Sequence, residues 1–389
     1  MKKNLLLLTL VHPDFLPPVY AYAQVLRDLG YKIHILTFDS YVPAEYDLGG
    51  GIELETMGKH YDISMSQRLS LRNKYIKRAQ QLVNDETLTI ITVCPFSFLC
   101  GLKIKKKSKL IYVALEIADF ILSKFVTSPL SHYRNLLTFR HISKADLVAT
   151  PSAQRSAWLA GRCHLGFMPY TILNTSYLSD KPEEDTLGAF KEIVPADFLD
   201  KKIILYTGAV NADQCILELA QAFNMVNEEQ SALIITGIKD NNYCNEILNF
   251  VRDCWSAKRI MLFPYLTRHQ MLALQSNAHI GVCISKEKAN NVESYMIAPN
   301  KVGEYANKSL YILGLMSEYM KPFEMQGIAS LAETPTKEDI SKAIADALRA
   351  VNESGWKGKI KMFVKDYFCM QQQLKPVIQF LNSNIKVSD

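Results

Sequence analysis

Between Pro299 and Glu304 the chain reads Pro-Asn-Lys-Val-Gly-Glu, a pattern that opens a helix and sets a carboxylate one turn inside it. Proline suits the opening because its missing N–H has no partner there in any case. The unpaired N–H groups of Asn300 and Lys301, added to the helix dipole, make a place for an anion such as a diphosphate. The Glu304 carboxylate can accept from both of two adjacent hydroxyls, as on a ribose, and charge-assisted hydrogen bonds are the stronger kind. The same residues also have a purely structural reading. Glu304 is then a helix-start carboxylate stabilised by the dipole, and Lys301 a solvated surface lysine.

Other residues offer matching chemistry. Gly208 and Gly237 each end an apolar run, where a glycine lets the backbone approach a ligand closely or simply makes a turn. Lys239 and Arg268 supply positive charge for a diphosphate, or else are solvated. In the first half, His12-Pro13-Asp14 follows the first apolar run and Glu116 follows the run that ends at Leu115. A reacting hydroxyl needs a base or a polar partner. His12, Asp14 and Glu116 are the titratable groups that strand-end placement brings to such a hydroxyl; otherwise they are turn or cap residues. The chain has no Asp-x-Asp run and no Cys/His cluster with zinc spacing, so neither a metal nor a cofactor is expected.

The elements that must position these groups are legible as a repeat. Short apolar runs at residues 4–10, 32–38, 88–93, 110–115 and 147–150 predict strands. Helical spacing at 20–29, 66–84, 131–142 and 153–160 falls between them. Continuous apolar strands separated by helices imply a parallel sheet covered on both faces. Residues 176–195, with the charged Lys181-Pro182-Glu183-Glu184-Asp185, predict a linker. The pattern then restarts. Strands are expected at 203–206, 232–236, 260–263, 279–283 and 309–313, helices at 217–226, 241–254, 267–276 and 300–307, and a helical tail over 336–385. In such sheets ligands bind beyond the carboxyl ends of the strands.

Composition sets the outer bounds. The 389 residues are 48% hydrophobic and 21% charged, as in a globular protein of two domains. The eight cysteines form no CxxC and predict buried free thiols in a reducing cytoplasm. Lys2 and Lys3 before a short apolar run resemble a signal peptide, but His12-Pro13-Asp14 breaks the run at once, and a buried first strand fits better. No apolar stretch is long enough to span a membrane.

The net charge of +5 is uneven. Residues 1–180 carry 21 Lys+Arg against 14 Asp+Glu, and residues 181–389 carry 23 against 25. Arg68, Arg72, Lys74, Lys77 and Arg78 share one predicted helix, and Lys103, Lys105, Lys106, Lys107 and Lys109 form a second run. These charges predict solvated surface, with peripheral contact to anionic lipid as the functional alternative, worth about 1 kcal/mol per basic residue. No nucleic-acid motif is present, and no nucleic acid is expected.

The segment Ala298-Pro299-Asn300-Lys301-Val302-Gly303-Glu304-Tyr305-Ala306 resembles the Pro-x-Lys-x-x-Glu-Tyr-x-Ala pattern of family 4, or group 1, glycosyltransferases. Tyr206-Thr207-Gly208, Leu262-Phe263-Pro264-Tyr265 and Ala278-His279-Ile280-Gly281-Val282 match the order of elements around it. Residues 142–152 and Ile172-Leu173-Asn174 resemble the end of the partner domain. The resemblance implies a GT-B fold: α/β, with two Rossmann-like domains whose parallel sheets face across a cleft. It implies an acceptor domain at 1–178, a donor domain at 196–360, and a C-terminal helix at 361–389 packing back on the first domain.

The activity implied is metal-independent hexosyl transfer, with retention, from a nucleotide-sugar donor to a glycan or lipid-linked acceptor in surface polysaccharide synthesis, in the cytoplasm or at the inner membrane face. Donor contacts are implied at Gly208, Gly237, Lys239, Tyr265, Arg268, Pro299, Asn300, Lys301 and Glu304. Three positions depart from the pattern. Ala209 and Gln214 stand where many relatives carry basic residues, and Met296 stands where many carry a Glu. A diphosphate must therefore find its positive charge elsewhere. A nucleotide-sugar 2-epimerase of the same fold and a non-catalytic nucleotide-sugar-binding relative are the alternatives.

Overall fold

The computed structural model describes residues 3–13, 16–39, 50–60, 62–84, 87–115, 129–179, 186–286 and 299–383. The chain divides into two compact units, Met1–Tyr177 with Met370–Asp389, and Leu178–Cys369.

The first unit is built on seven parallel strands: β1 (Lys3–Leu8), β2 (Tyr31–Thr37), β3 (Ile52–Thr56), β4 (Thr87–Thr92), β5 (Lys109–Val113), β6 (Leu147–Thr150) and β7 (Tyr170–Thr171). Their order is β3-β2-β1-β4-β5-β6-β7. Leu5 pairs with Ile33 and Leu7 with Ile35 across β1 and β2. Successive side chains of a strand point to opposite faces. Leu5 and Leu7 therefore join Tyr22 and Leu26 of the helix Pro17–Asp28 on one face. Leu6 and Leu8 join Tyr75 and Phe98 on the other. Burial on both faces is why these strands are apolar throughout rather than alternating.

The chain end closes this unit. The Met370 N–H donates to the Ser176 carbonyl at 3.0 Å. The Lys109 ammonium donates to the carbonyls of Phe380 and Ser383, each at 2.9 Å. Met370, Leu374 and Val377 are buried in the same core as β1.

The second unit is built on β8 (Lys202–Tyr206), β9 (Ser231–Thr236), β10 (Ile260–Phe263), β11 (Ile280–Cys283), β12 (Tyr311–Leu315) and β13 (Ala329–Ala332), in the order β10-β9-β8-β11-β12-β13. All pairs are parallel.

Several elements differ from the sequence expectation. The unit spans 178–369 rather than 196–360. Residues 187–193, expected in the linker, form the helix Leu187–Ile193, which packs on the helix Arg268–Asn277 and buries Phe190. The helical tail is four pieces, Lys337–Asn352, Trp356–Asp366, Met370–Gln373 and Lys375–Asn382. The helix Pro95–Ile104 and the strands β3 and β13 were not anticipated. All eight cysteines are free thiols, four of them buried and four partly exposed. Among the described residues no helix is long and apolar enough to cross a membrane.

His279 joins the strands of the second sheet at the entry to β11. Its Nδ1 accepts the Ile203 N–H at 3.2 Å, while its own N–H donates to the Ile203 carbonyl at 3.0 Å. An accepting Nδ1 carries no proton. Burial, aided by Lys202 and Lys357, pushes the imidazole down to about 4. The unfolded ring titrates near 6.5, so the unfolded chain binds the extra proton between those values. The contribution of His279 is complete above pH 6.5 and is lost as pH falls toward 4, to the extent of roughly 2 kcal/mol. In urea titrations at pH 7 and pH 4.5, His279→Asn should shrink the stability difference between the two pH values by about that amount. An unchanged difference would remove His279 as the source.

Candidate functional site

The strand order of the second sheet reverses between β8 and β11. The crevice beyond the carboxyl ends at such a switch point is where open α/β sheets bind ligands. Gly208 follows β8, Gly237 follows β9, Tyr265 follows β10, and the helix Asn300–Asn307 begins in the connection from β11 to β12. Parallel strands thus deliver all of these residues to one edge.

Two glycines shape the floor. Gly208 has φ +125° and Gly237 φ +98°, values that strain any residue with a Cβ. A Cβ on Gly237 would lie 1.9 Å from the Gly208 carbonyl oxygen. On Gly208 it would lie 2.8 Å from Lys301 Cε. Both backbones are as close to their neighbours as atoms allow.

Lys301 lies against this floor. Its ammonium donates to the Tyr206 hydroxyl at 2.9 Å and to Gln214 Oε1 at 3.4 Å, and sits 4.1 Å from the Tyr206 ring centroid. The Tyr206 hydroxyl in turn donates to the Ala209 carbonyl at 2.6 Å. These partners are neutral, and burial pulls the ammonium down to about 8, against the smaller opposing effects of Cys283 and Glu304. The helix thus brings a cation to Gln214 and to the hydroxyl that holds the Ala209 carbonyl. This is a site contact that the sequence left open.

Pro299 is the N-cap of that helix, outside its first turn rather than inside it, with no side-chain cap. The N–H groups of Asn300 and Lys301 consequently have no acceptor within the helix. Glu304, one turn on, accepts from Arg268 Nη1 at 2.8 Å and from Gln275 Nε2 at 3.4 Å. A carboxylate has about four lone-pair positions, so capacity for hydroxyls remains. The helix is docked by Tyr305. Its hydroxyl accepts the Thr207 N–H at 3.0 Å, and its ring covers Gly281, where a Cβ would be 2.4 Å from it.

The structure thus gathers Gly208, Gly237, Pro299, Asn300, Lys301 and Glu304 at one switch point. Arg268 joins them as the ion partner of Glu304. Lys239 is exposed, its ammonium 5.1 Å from the centroid of the half-exposed Tyr265 ring. Tyr206, Gln214, Gln275 and Tyr305 are participants that sequence reasoning missed as contacts. In the first unit, His12 is buried beyond the end of β1. Asp14, Glu116 and Met296 lie outside the described residues. Among the described residues no group of three His, Cys, Asp or Glu side chains is arranged to hold a metal.

Comparison with protein-family profiles and with curated proteins finds no match. Comparison with solved structures finds many. A glycosyltransferase from Rickettsia africae ESF-5 aligns over the whole of both chains at 13% identity, with a TM-score of 0.71. HepE from Anabaena, solved in complex with UDP-glucose, aligns over 97% of this chain and 99% of its own at 11% identity, with a TM-score of 0.69. A protein from Listeria monocytogenes assigned as a UDP-N-acetylglucosamine 2-epimerase aligns over 100% of this chain and 98% of its own at 12% identity, with a TM-score of 0.62. The chain has the GT-B fold and resembles glycosyltransferases of that fold. Identities this low establish the fold, and function must be argued from the site.

The glycine contact is directly testable. Gly237→Ala should cost about 3 kcal/mol or more, combining strain at positive φ with a clash against backbone. Urea unfolding measures it, and a loss under about 1 kcal/mol would show that the two loops can separate freely.

Proposed function

We propose that the protein is a glycosyltransferase that moves a hexose from a nucleotide-sugar to a glycan or lipid-linked acceptor, in the synthesis of a surface polysaccharide. The observation that carries this reading is the helix Asn300–Asn307. It offers a cation at Lys301 and a carboxylate at Glu304, three residues apart, beside the Gly208 floor. The leaving diphosphate lies on the helix N-terminus and Lys301, which together stabilise the charge that develops as the glycosidic bond breaks. The ribose hydroxyls donate to Glu304, which Arg268 and Gln275 hold in place. On this reading the chain's own cations meet the diphosphate without a metal, and the sugar keeps its anomeric configuration. The acceptor belongs to the first unit, with His12 as the polar partner of its hydroxyl.

A thermal-shift series with UDP-, GDP-, ADP- and dTDP-linked sugars tests the donor side. The matching ligand at 100 times its dissociation constant adds about 2.7 kcal/mol of stability. Glu304→Ala should weaken that ligand by about 1.5–3 kcal/mol. If no nucleotide shifts melting at millimolar concentration, the reading fails. If Glu304→Ala leaves affinity unchanged, the ribose role fails. The Lys301 charge adds a pH signature. The free ammonium is present below pH 8 and lost above it, so donor affinity should fall as pH passes 8. Lys301→Met should be weak at every pH.

On the acceptor side, His12→Ala should lower kcat by about 10²–10⁴ and leave donor affinity intact. A donor affinity that falls in parallel would instead indicate a folding defect. The likeness to the Listeria protein supports a second reading, epimerisation of the nucleotide-sugar itself. NMR of UDP-N-acetylglucosamine incubated with the protein alone separates the two, because an epimerase converts it without an acceptor.

A further inference from the structure

The first sheet has its own switch point, between β1 and β4, and three arginines stand at that edge. The helix Met65–Leu82 is anchored there by Tyr75, whose buried hydroxyl donates to the Thr9 carbonyl past β1 at 3.1 Å and to the Leu36 carbonyl of β2 at 2.9 Å. Arg72 and Arg68 lie three and seven residues before Tyr75, on the same helical face. Arg72 is 5.4 Å and Arg134 5.7 Å from the ring centroid of Phe96, which follows β4, so the two guanidinium groups share one aromatic ring. Arg134 comes from a third element, the helix Pro129–His141.

None of the three arginines takes part in an ion pair among the described residues. The Nε atoms of Arg68 and Arg72 are buried with no hydrogen-bond partner. Desolvation, with Arg134 and Arg68 adding repulsion, pulls Arg72 down to about 10. His60 is lowered by burial and by Arg72 and Arg68. Arginines in such surroundings normally meet a carboxylate, since an unpaired buried charge is strongly unfavourable.

We propose that Arg68, Arg72 and Arg134 form a phosphoryl-binding site at the β1/β4 edge of the first unit, filled by a phosphate group of the acceptor. A phosphate offers three oxygens to three guanidinium forks, whereas a carboxylate offers two and leaves one fork unmet. The existence of the site stands on the arginines alone. Its assignment to the acceptor rests on the glycosyltransferase reading above.

The test is calorimetric titration of the full chain with inorganic phosphate, with UDP present throughout to occupy the second unit. Wild type should bind, and Arg72→Gln/Arg134→Gln should bind about tenfold or more weakly. Without phosphate the variant should melt at the same or a higher temperature, because a like-charge contact is gone, and its response to UDP-glucose should be unchanged. Single Arg72→Gln, with a smaller loss in the same direction, serves if the double variant does not fold. A second arm compares sedimentation with phosphatidylcholine vesicles with and without phosphatidic acid. Loss in the variant chiefly in the soluble arm points to a phosphate group on a soluble acceptor, and loss chiefly in the vesicle arm to a lipid-borne one.

Equal binding by variant and wild type in both arms overturns the site, as does failure of wild type to bind in either. If phosphate binding behaves as expected but no nucleotide-sugar binds, the anion site stands and the glycosyltransferase reading falls.

Discussion

The approach of Gly237 to the Gly208 carbonyl is the constraint on which the second unit's site depends. Two strand-end loops can pass this closely only where neither carries a Cβ and both adopt positive φ. The loop after β8 is thereby held flat, and the space above Gly208 is left for the stem of Lys301. Tyr206, the last residue of β8, closes the arrangement by accepting from Lys301 and donating to the Ala209 carbonyl. Tyr305 reaches Thr207 from the same helix that carries Lys301, so the helix is fixed to the loop it serves. A bulkier residue at either glycine would displace the loop, the cation and the helix together.

On the helix Asn300–Asn307 the two charges differ: among the described residues Glu304 has an ion-pair partner and Lys301 has none. Glu304 is met by Arg268, a partly buried pair with good geometry. Among the described residues Lys301 hydrogen-bonds only a phenol and an amide, and burial lowers its pKa. The arginines on Phe96 in the first unit have the same character, with repulsion from Arg134 and Arg68 added to desolvation at Arg72. A protein selected only for stability would place a carboxylate beside such groups. Such cations at a switch point, where open α/β sheets bind ligands, are the groups that an anionic ligand would meet. Among the described residues the two units therefore each hold positive charge with no carboxylate partner at the place where the strand order reverses.

The strands of both sheets were legible because burial on two faces leaves a continuous apolar run, and that signal is local. Where the environment differed, the signal failed. Ile52–Thr56 is an edge strand with the polar Glu53 and Glu55, so it lacks the run. The helix Pro95–Ile104 is apolar nearly all round, so it lacks the contrast that marks a 3.6-residue period. Leu187–Ile193 is short and lies in a polar stretch, and it is held by packing on the helix Arg268–Asn277 rather than by propensity.

The same division runs through the site. Helix start, anion-binding turn and carboxylate lie within six consecutive residues at Pro299–Glu304, and their chemistry follows from spacing along a single helix. The sequence by itself therefore determined that this segment has the groups to meet a nucleotide, and the family resemblance marked the lack of basic residues at Ala209 and Gln214. Only the tertiary structure decided that Lys301 lies against Tyr206 and Gln214, that Arg268 pairs with Glu304, and that Arg72 and Arg134 meet over one phenylalanine. A helical period tells which residues share a face, but not what the face is pressed against. These contacts join elements far apart in the chain, and they exist because parallel strands bring their carboxyl ends to a common edge.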